Sequence, residues 1–181
     1  MEDKMDYQKL SAEEKQALVK KARDRAFFYE QEYGNCPQST LAGLKDVFNG
    51  ISDEAFRSVF GFGAGAGLCS KGMCGAVVGA ITVISLATGR RVEELEQEVD
   101  YTCFTLTRQI IEAFEKKYGG VLCCQIQQKL FGRSFDLYLP EESEAFVAAG
   151  GHGDKCPSVV GFGAELVAQM IVDGVITLPE D

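Results

Sequence analysis

The stretch Met73-Cys74-Gly75-Ala76-Val77-Val78-Gly79-Ala80-Ile81-Thr82-Val83-Ile84-Ser85-Leu86-Ala87-Thr88-Gly89 carries no charge, and Lys71 stands before it and Arg90-Arg91 after it. A membrane span needs roughly 20 apolar residues; this run is shorter and is diluted by Gly75, Gly79, Thr82 and Ser85. It reads as the buried central helix of a bundle, from about Cys74 to Thr88, with no membrane span. Gly75 and Gly79, one turn apart, then mark close contact with another helix.

Working outward, capping and stop signals place helices on both sides. Ser11-Ala12-Glu13-Glu14 is a capping box, and Ala17, Leu18, Ala22, Phe28 and Tyr29 recur at helical spacing up to Tyr33-Gly34. A second helix is predicted from about Pro37 to Phe48, ending at Asn49-Gly50. A short third starts at the cap Ser52, with Asp53 and Glu54 in its first turn, and ends near Phe60. The segment Gly61-Phe62-Gly63-Ala64-Gly65-Ala66-Gly67 has no strand before it and so carries no nucleotide-binding fingerprint; it reads as a flexible approach to the central helix.

Beyond Arg91 one long helix is predicted from Val92 to Tyr118, acidic at its start (Glu93, Glu94, Glu96) and basic at its end (Lys116, Lys117), with Gly119 as its stop. Helices from about Cys123 to Phe131 and from Pro157 to Val172 close the chain. Residues 132–155 between them form an irregular connection with one short helix near Glu141 to Ala148, and no period-2 pattern competes over a useful length. The expected fold is all-α: a single helical domain over residues 1–181, an antiparallel bundle with residues 1–10 flexible and a glycine-rich loop ahead of the central apolar helix.

Composition narrows the function classes. The 181 residues, 46% of them hydrophobic, suffice for one domain with a core and not comfortably for two. A formal net charge of −9 and a pI near 4.7 speak against nucleic acid or an anionic membrane as partner, since either asks for a basic patch. The polar, acidic start Met1-Glu2-Asp3-Lys4-Met5-Asp6 is unlike a signal peptide. A cytoplasmic location is expected, where thiols serve metals or redox chemistry rather than structural bridges. Seven cysteines, an odd number, also fit a closed disulfide framework poorly.

Four of them, Cys36, Cys74, Cys123 and Cys156, fall where helices are predicted to begin. The first amides of a helix lack internal partners and the dipole is positive there, so a thiol in that place is expected to deprotonate readily. In Cys36-Pro37 and Cys156-Pro157 the proline suits the first helical position and pushes its predecessor out of helical geometry, which would make each cysteine the N-cap. If consecutive helices pack antiparallel across short loops, counting directions brings all four helix starts to one end of the bundle, where the thiolates could share one centre. Gly75 and Ala76 leave room there for a cluster or a partner helix.

Cys74-Gly75-Ala76-Val77-Val78-Gly79 resembles the Cys-Gly-Ala-x-x-Gly motif of the C_GCAxxG_C_C family of redox-active proteins. Asn35-Cys36-Pro37-Gln38 resembles the family's earlier Asn-Cys followed by Gln. The glycine-rich lead-in and two later single cysteines, one after a glycine-containing turn and one opening the last helix, match as well. The resemblance runs from about Tyr29 to Met170 and carries the family's four cysteines onto Cys36, Cys74, Cys123 and Cys156; Cys123 is preferred to the adjacent Cys124 because Cys-x-x-Ile-Gln resembles the family's spacing. The family is similar in turn to the helical domain of split-Soret cytochromes c, which holds a non-haem iron-sulfur centre. The resemblance therefore implies an iron-sulfur cluster, 2Fe-2S or 4Fe-4S, on these cysteines. The haem part does not carry over, since the chain has no Cys-x-x-Cys-His.

Other features read more plainly. Cys103, flanked by Tyr101, Thr102 and Phe104, is expected to pack in the core, away from the other four. Cys69 lies five residues before Cys74 without the further C-x2-C that plant-type ferredoxins add, so its role stays open. No zinc-finger spacing occurs. His152, in Gly150-Gly151-His152-Gly153, reads as a residue of a mobile loop whose proximity to Cys156 keeps it a candidate. The repeated Gly-Phe-Gly-Ala at Gly61 and Gly161 reads as coincidence between two helix-packing segments.

Three functions stay in play: an iron-sulfur (or other thiolate-bound metal) redox protein that exchanges electrons with a redox partner protein, a metal-free dithiol oxidoreductase, and an interaction module with structural cysteines. A homodimer is compatible with each. No paired carboxylates or Cys-His dyad can be argued from spacing, so no catalytic residue is assigned.

Overall fold

Ser11 opens the first helix as the capping box predicts: its hydroxyl accepts from the Glu14 N–H at 3.2 Å, and the Glu14 carboxylate accepts from the Ser11 N–H at 2.8 Å. A computed structural model, which describes residues 7–179, continues this helix as α1 (Ala12–Tyr33). Of the first ten residues, expected to be flexible, 7–9 form a 3-10 turn whose Tyr7 ring packs edge-on against Phe48 at 5.6 Å. Residues 1–6 lie outside the described residues.

The fold is all-α. After α1 come α2 (Cys36–Lys45), α3 (Asp53–Ser58), α4 (Gly75–Thr88), α5 (Thr102–Tyr118), α6 (Cys123–Phe131), α7 (Pro140–Ala148) and α8 (Cys156–Val172). A π turn over Gly151–Lys155 leads directly into α8.

The core is built by α1, α2, α4 and α8, which touch one another through small residues. Ala22 and Ala26 of α1, Ala76 and Ala80 of α4, and Ala164 and Ala168 of α8 are fully buried. A Cβ at Gly43 would strike the Ala26 backbone, and one at Gly163 would come within 2.9 Å of the Ala76 carbonyl. Helices meeting backbone to backbone in this way bury little side-chain volume per contact but fix their relative positions tightly. The α1 stripe that packs inward is Val19, Ala22, Ala26 and Glu30; Phe28, one of the apolar positions at helical spacing, is 38% exposed.

Directions follow from the contacts. Gln31 bonds the Gly153 carbonyl, Gly161 faces Arg23, and Gln16 bonds Gln169, so α1 and α8 run antiparallel. Gly75 meets Cys36 and Pro37, and Gly79 meets Thr40, so α4 runs beside α2 in the same direction. The helix starts of α2, α4 and α8 therefore share one end. The start of α6 is brought to the same end by a short backbone ladder, in which the Cys74 N–H donates to the Val121 carbonyl at 2.8 Å and the Cys123 N–H to the Gly72 carbonyl at 2.9 Å.

Two sequence expectations are corrected. The helix predicted from Val92 to Tyr118 is broken: Val92–Glu94 is a 3-10 turn, and α5 starts only at Thr102. The Asp100 side chain accepts from the N–H and the hydroxyl of Thr102, at 2.8 and 2.7 Å, and this local alternative ends the run. The glycine-rich approach is not a loose tether. Ala64 to Leu68 and Ser70 hold positive φ values, and the chain is tied by bonds such as Gly67 N–H to the Gly61 carbonyl at 2.9 Å and Ser70 N–H to the Ala64 carbonyl at 2.8 Å. The two Gly-Phe-Gly-Ala copies accordingly differ: the first enters this left-handed loop, while the second packs α8 onto α1 and α4.

Among the described residues one segment, Gly151–Val172, is long and apolar enough to cross a membrane by length and composition, and 56% of its most apolar part is buried inside the protein. It is the helix that α1, α2 and α4 enclose. The apolar stretch singled out in the sequence, α4, has 14 residues and a largely buried surface.

Candidate functional site

The four helix-start cysteines line one cavity of about 260 Å³. Its apolar wall comes from Ile126, Val159, Val160 and Phe146, and Tyr33 and Leu68 stand at its exposed edge. Of the adjacent pair, Cys123 lines it and Cys124 does not. Cys103 lies elsewhere, 3.6 Å from the Ser85 hydroxyl, and the Cys69 thiol donates to the Ala66 carbonyl at 3.1 Å.

The local reasons differ for each cysteine. Gly34 (φ +69°) and Asn35 (φ +61°) make the tight turn from α1 to α2, and Asn35, not Cys36, is the cap, its side chain accepting from the Gln38 N–H at 3.4 Å. Asn tolerates the left-handed geometry that this turn demands, which moves the cap one residue earlier. Cys156 is not a cap either: the π turn delivers it already helical, its N–H bonded to the Gly151 carbonyl. Cys74, which lacks the proline signal, is the true N-cap, at φ −57° and ψ 135°. Cys123 begins α6 beneath the left-handed loop, where a Cβ on Gly65 would come within 2.7 Å of its own Cβ.

The motif glycines now have a physical reason. A Cβ on Gly75 would strike the Cys36 sulfur and the Pro37 ring, and one on Gly79 would lie 2.7 Å from Thr40 Cβ and 2.9 Å from the Pro37 carbonyl. Only glycine at both positions lets α2 lie close enough to α4 for Cys36 and Cys74 to share the cavity.

Burial sets the charge state and reverses an expectation. Thiols at helix starts were expected to deprotonate readily; instead burial pushes Cys74 up to about 12 and Cys123 up to about 11. Cys36 and Cys156 also lie well above the ordinary thiol range, through burial first and then the Glu30 carboxylate. The Ala76 and Val77 amides oppose the rise at Cys74 without making a full capping bond, and the Ala64 amide does the same at Cys36. Desolvation outweighs the helix end because the thiols see little water and one another's charge.

Two groups escaped the sequence reading. Gln127 is buried on α6 and donates to Ser70 Oγ at 3.1 Å and to Cys123 Sγ at 3.4 Å, while its carbonyl accepts from Ser134 Oγ and from the Phe135 N–H at 3.1 and 2.7 Å. It lies within Cys-x-x-Ile-Gln, the spacing that singled out Cys123, so a signal was there. Glu30, 3% exposed, lines the cavity from α1, and burial raises its carboxyl to about 8. His152 lines it too, edge-on to Phe146 at 5.1 Å and held below its usual range by burial; it belongs to the π turn rather than to a mobile loop.

Among the described residues no three His, Cys, Asp or Glu side chains gather closely enough to hold a single metal ion. The four thiols line the cavity together with Glu30 and His152. As donors, four thiols fit zinc and iron-sulfur centres alike.

The chain belongs to the C_GCAxxG_C_C family: the family's model, described as "Putative redox-active protein (C_GCAxxG_C_C)", matches residues 34–170. No curated protein and no solved structure matches the chain. The match begins at the turn before Cys36 and ends in α8, so it takes in every cavity cysteine. It leaves out Glu30.

Proposed function

We propose that this member of a redox-active family holds an iron-sulfur cluster on Cys36, Cys74, Cys123 and Cys156 and passes electrons to and from a redox partner protein. The observation that carries the reading is the convergence of four cysteines from four helix starts on one cavity. Bound as thiolates, they would give the cluster an all-sulfur ligand set. The Gln127 amide and the Ala64, Ala76 and Val77 N–H groups stand where they can donate to those sulfurs, and such donors tune a cluster's potential.

Raised thiol pKa values favour this reading over a metal-free dithiol. A protonated, buried thiol is a slow nucleophile, whereas a metal cation supplies the positive charge that lets four clustered thiols give up their protons together. All seven cysteines are unpaired, which suits a reducing compartment such as the cytoplasm. Electrons would leave past Tyr33 and Leu68, where the cavity nears the surface.

The test is direct. Protein made without oxygen, with iron in supply, should carry iron and acid-labile sulfide and show a visible chromophore that single Cys→Ser changes at the four positions bleach or alter. Colourless, iron-free protein from that preparation would overturn the reading.

A further inference from the structure

The cavity wall holds two polar atoms without a hydrogen-bond partner, Glu30 Oε2 and His152 Nδ1. Their side chains face each other, yet the nearest approach, His152 Nδ1 to Glu30 Oε1, is 3.9 Å, too long for a hydrogen bond. Glu30 sits in the last turn of α1 on the same stripe as Val19, Ala22 and Ala26, at a position where an apolar residue would pack without cost. The Ser39 hydroxyl also faces the Glu30 carboxyl, but Oε2 has no partner; a buried carboxyl oxygen left unpaired is expensive, and such expense gathers where a ligand completes the bonding. Glu30 lines the same cavity as the four cysteines, so a group held by the four sulfurs would also lie beside it.

We propose that the Glu30 carboxyl hydrogen-bonds to a sulfur of the bound centre and raises its reduction potential. This rests on the iron-sulfur reading above. A cluster sulfur only accepts hydrogen bonds, so a buried carboxyl beside it bonds to it as the protonated donor, the form that burial favours, and the extra negative charge of a reduced cluster strengthens a bond donated to its sulfur. Glu30 is thereby a positioning and tuning residue, not a ligand.

The experiment compares the wild-type protein with Glu30→Gln and Glu30→Leu after anaerobic reconstitution with iron and sulfide, reading iron and sulfide content, visible spectrum and midpoint potential at pH 7. Gln keeps an N–H donor at nearly the same place; Leu keeps the volume and has none. The expected result is unchanged cluster content in both variants, a potential near wild type for Glu30→Gln and a clearly lower one for Glu30→Leu. Equal potentials in all three overturn the proposal, as does an equal shift in both variants, which would mark a charge effect or direct ligation. If Glu30→Leu takes up no cluster, Glu30→Gln decides: wild-type content and potential support the proposal, and failure to load overturns it. A wild-type protein that loads no iron overturns the iron-sulfur reading and this one with it, whereas a loaded wild type with indifferent variants overturns this one alone.

Discussion

The Gln127 side-chain amide donates to the Cys123 sulfur at 3.4 Å and to the Ser70 hydroxyl at 3.1 Å, and the carbonyl of the same side chain receives the Phe135 N–H at 2.7 Å. One buried residue therefore ties a candidate ligand, the end of the left-handed loop and the turn after α6 into one unit. Gln127→Leu keeps the volume but leaves the Phe135 N–H without its partner and Ser70 and Cys123 without their donor. Each buried group left unsatisfied costs roughly 1–3 kcal/mol, so we expect a loss of about 2–4 kcal/mol in urea unfolding of the metal-free protein, larger than truncation of an ordinary surface glutamine. A change within about 0.5 kcal/mol would show that the network contributes nothing.

Gly75→Ala sets two effects against each other. Alanine improves helix propensity by about 1 kcal/mol, but its Cβ would strike Cys36 Sγ and Pro37, neither of which is the free end of a long side chain. Overpacking of this kind costs roughly 1–3 kcal/mol, and the only relief is to move α2 away from α4, which carries Cys36 off. The expected outcome is lower stability together with reduced cluster loading. Gly61→Ala is the control, since an added Cβ there meets nothing within 4 Å; if both variants load and melt alike, the close-approach account of the motif is wrong.

Glu30 predicts how stability varies with pH in the metal-free protein. Its carboxyl lies near 8 in the folded state against an ordinary value of 4.5, so between these values the folded protein holds a proton that the unfolded chain has lost. Stability is then full below pH 4.5 and falls as pH rises towards 8. At 1.36 kcal/mol per unit the loss is on the order of 5 kcal/mol. His152, held below its usual range, works in the opposite sense just under pH 6.5, and the raised cavity thiols extend the decline above pH 9. Urea midpoints from pH 5 to 8 should fall for the wild type and stay nearly level for Glu30→Gln. Parallel curves for the two proteins would remove Glu30 as the cause.

What the sequence discloses here is direction more than environment. Counting helix directions brings four cysteines to one end because chain reversal is a local property of turns such as Gly34-Asn35. The break before α5 is missed because the acids at 93, 94 and 96 imitate a helix start, and only the side chain of Asp100 on Thr102 shows where the start lies. Thiol pKa is misjudged for a different reason: the helix-end effect is written in the local sequence, whereas burial by four separate helices is not. Glu30 is hidden in the same way, although it falls four residues after Ala26 on the buried stripe. A carboxylate in register with the core positions of its helix is the sign that could have exposed it.

Thiol reactivity separates a bound centre from a free dithiol. Three of the seven cysteines, Cys69, Cys103 and Cys124, are half-buried and do not line the cavity; of the four that do, Cys74 and Cys123 are buried and Cys36 and Cys156 half-buried, and all four thiols are raised in pKa by their surroundings. With a cluster bound, a thiol reagent at pH 7 should modify the three quickly and the four only after acid or chelation releases the metal. In the metal-free protein the four should still lag well behind the three, because a buried protonated thiol must wait for an opening of the structure. Peptide mass mapping of the labelled protein assigns each phase. If two of Cys36, Cys74, Cys123 and Cys156 instead react first, or cycle reversibly into a disulfide in iron-free protein, the thiols are not metal ligands and the dithiol oxidoreductase is the correct function.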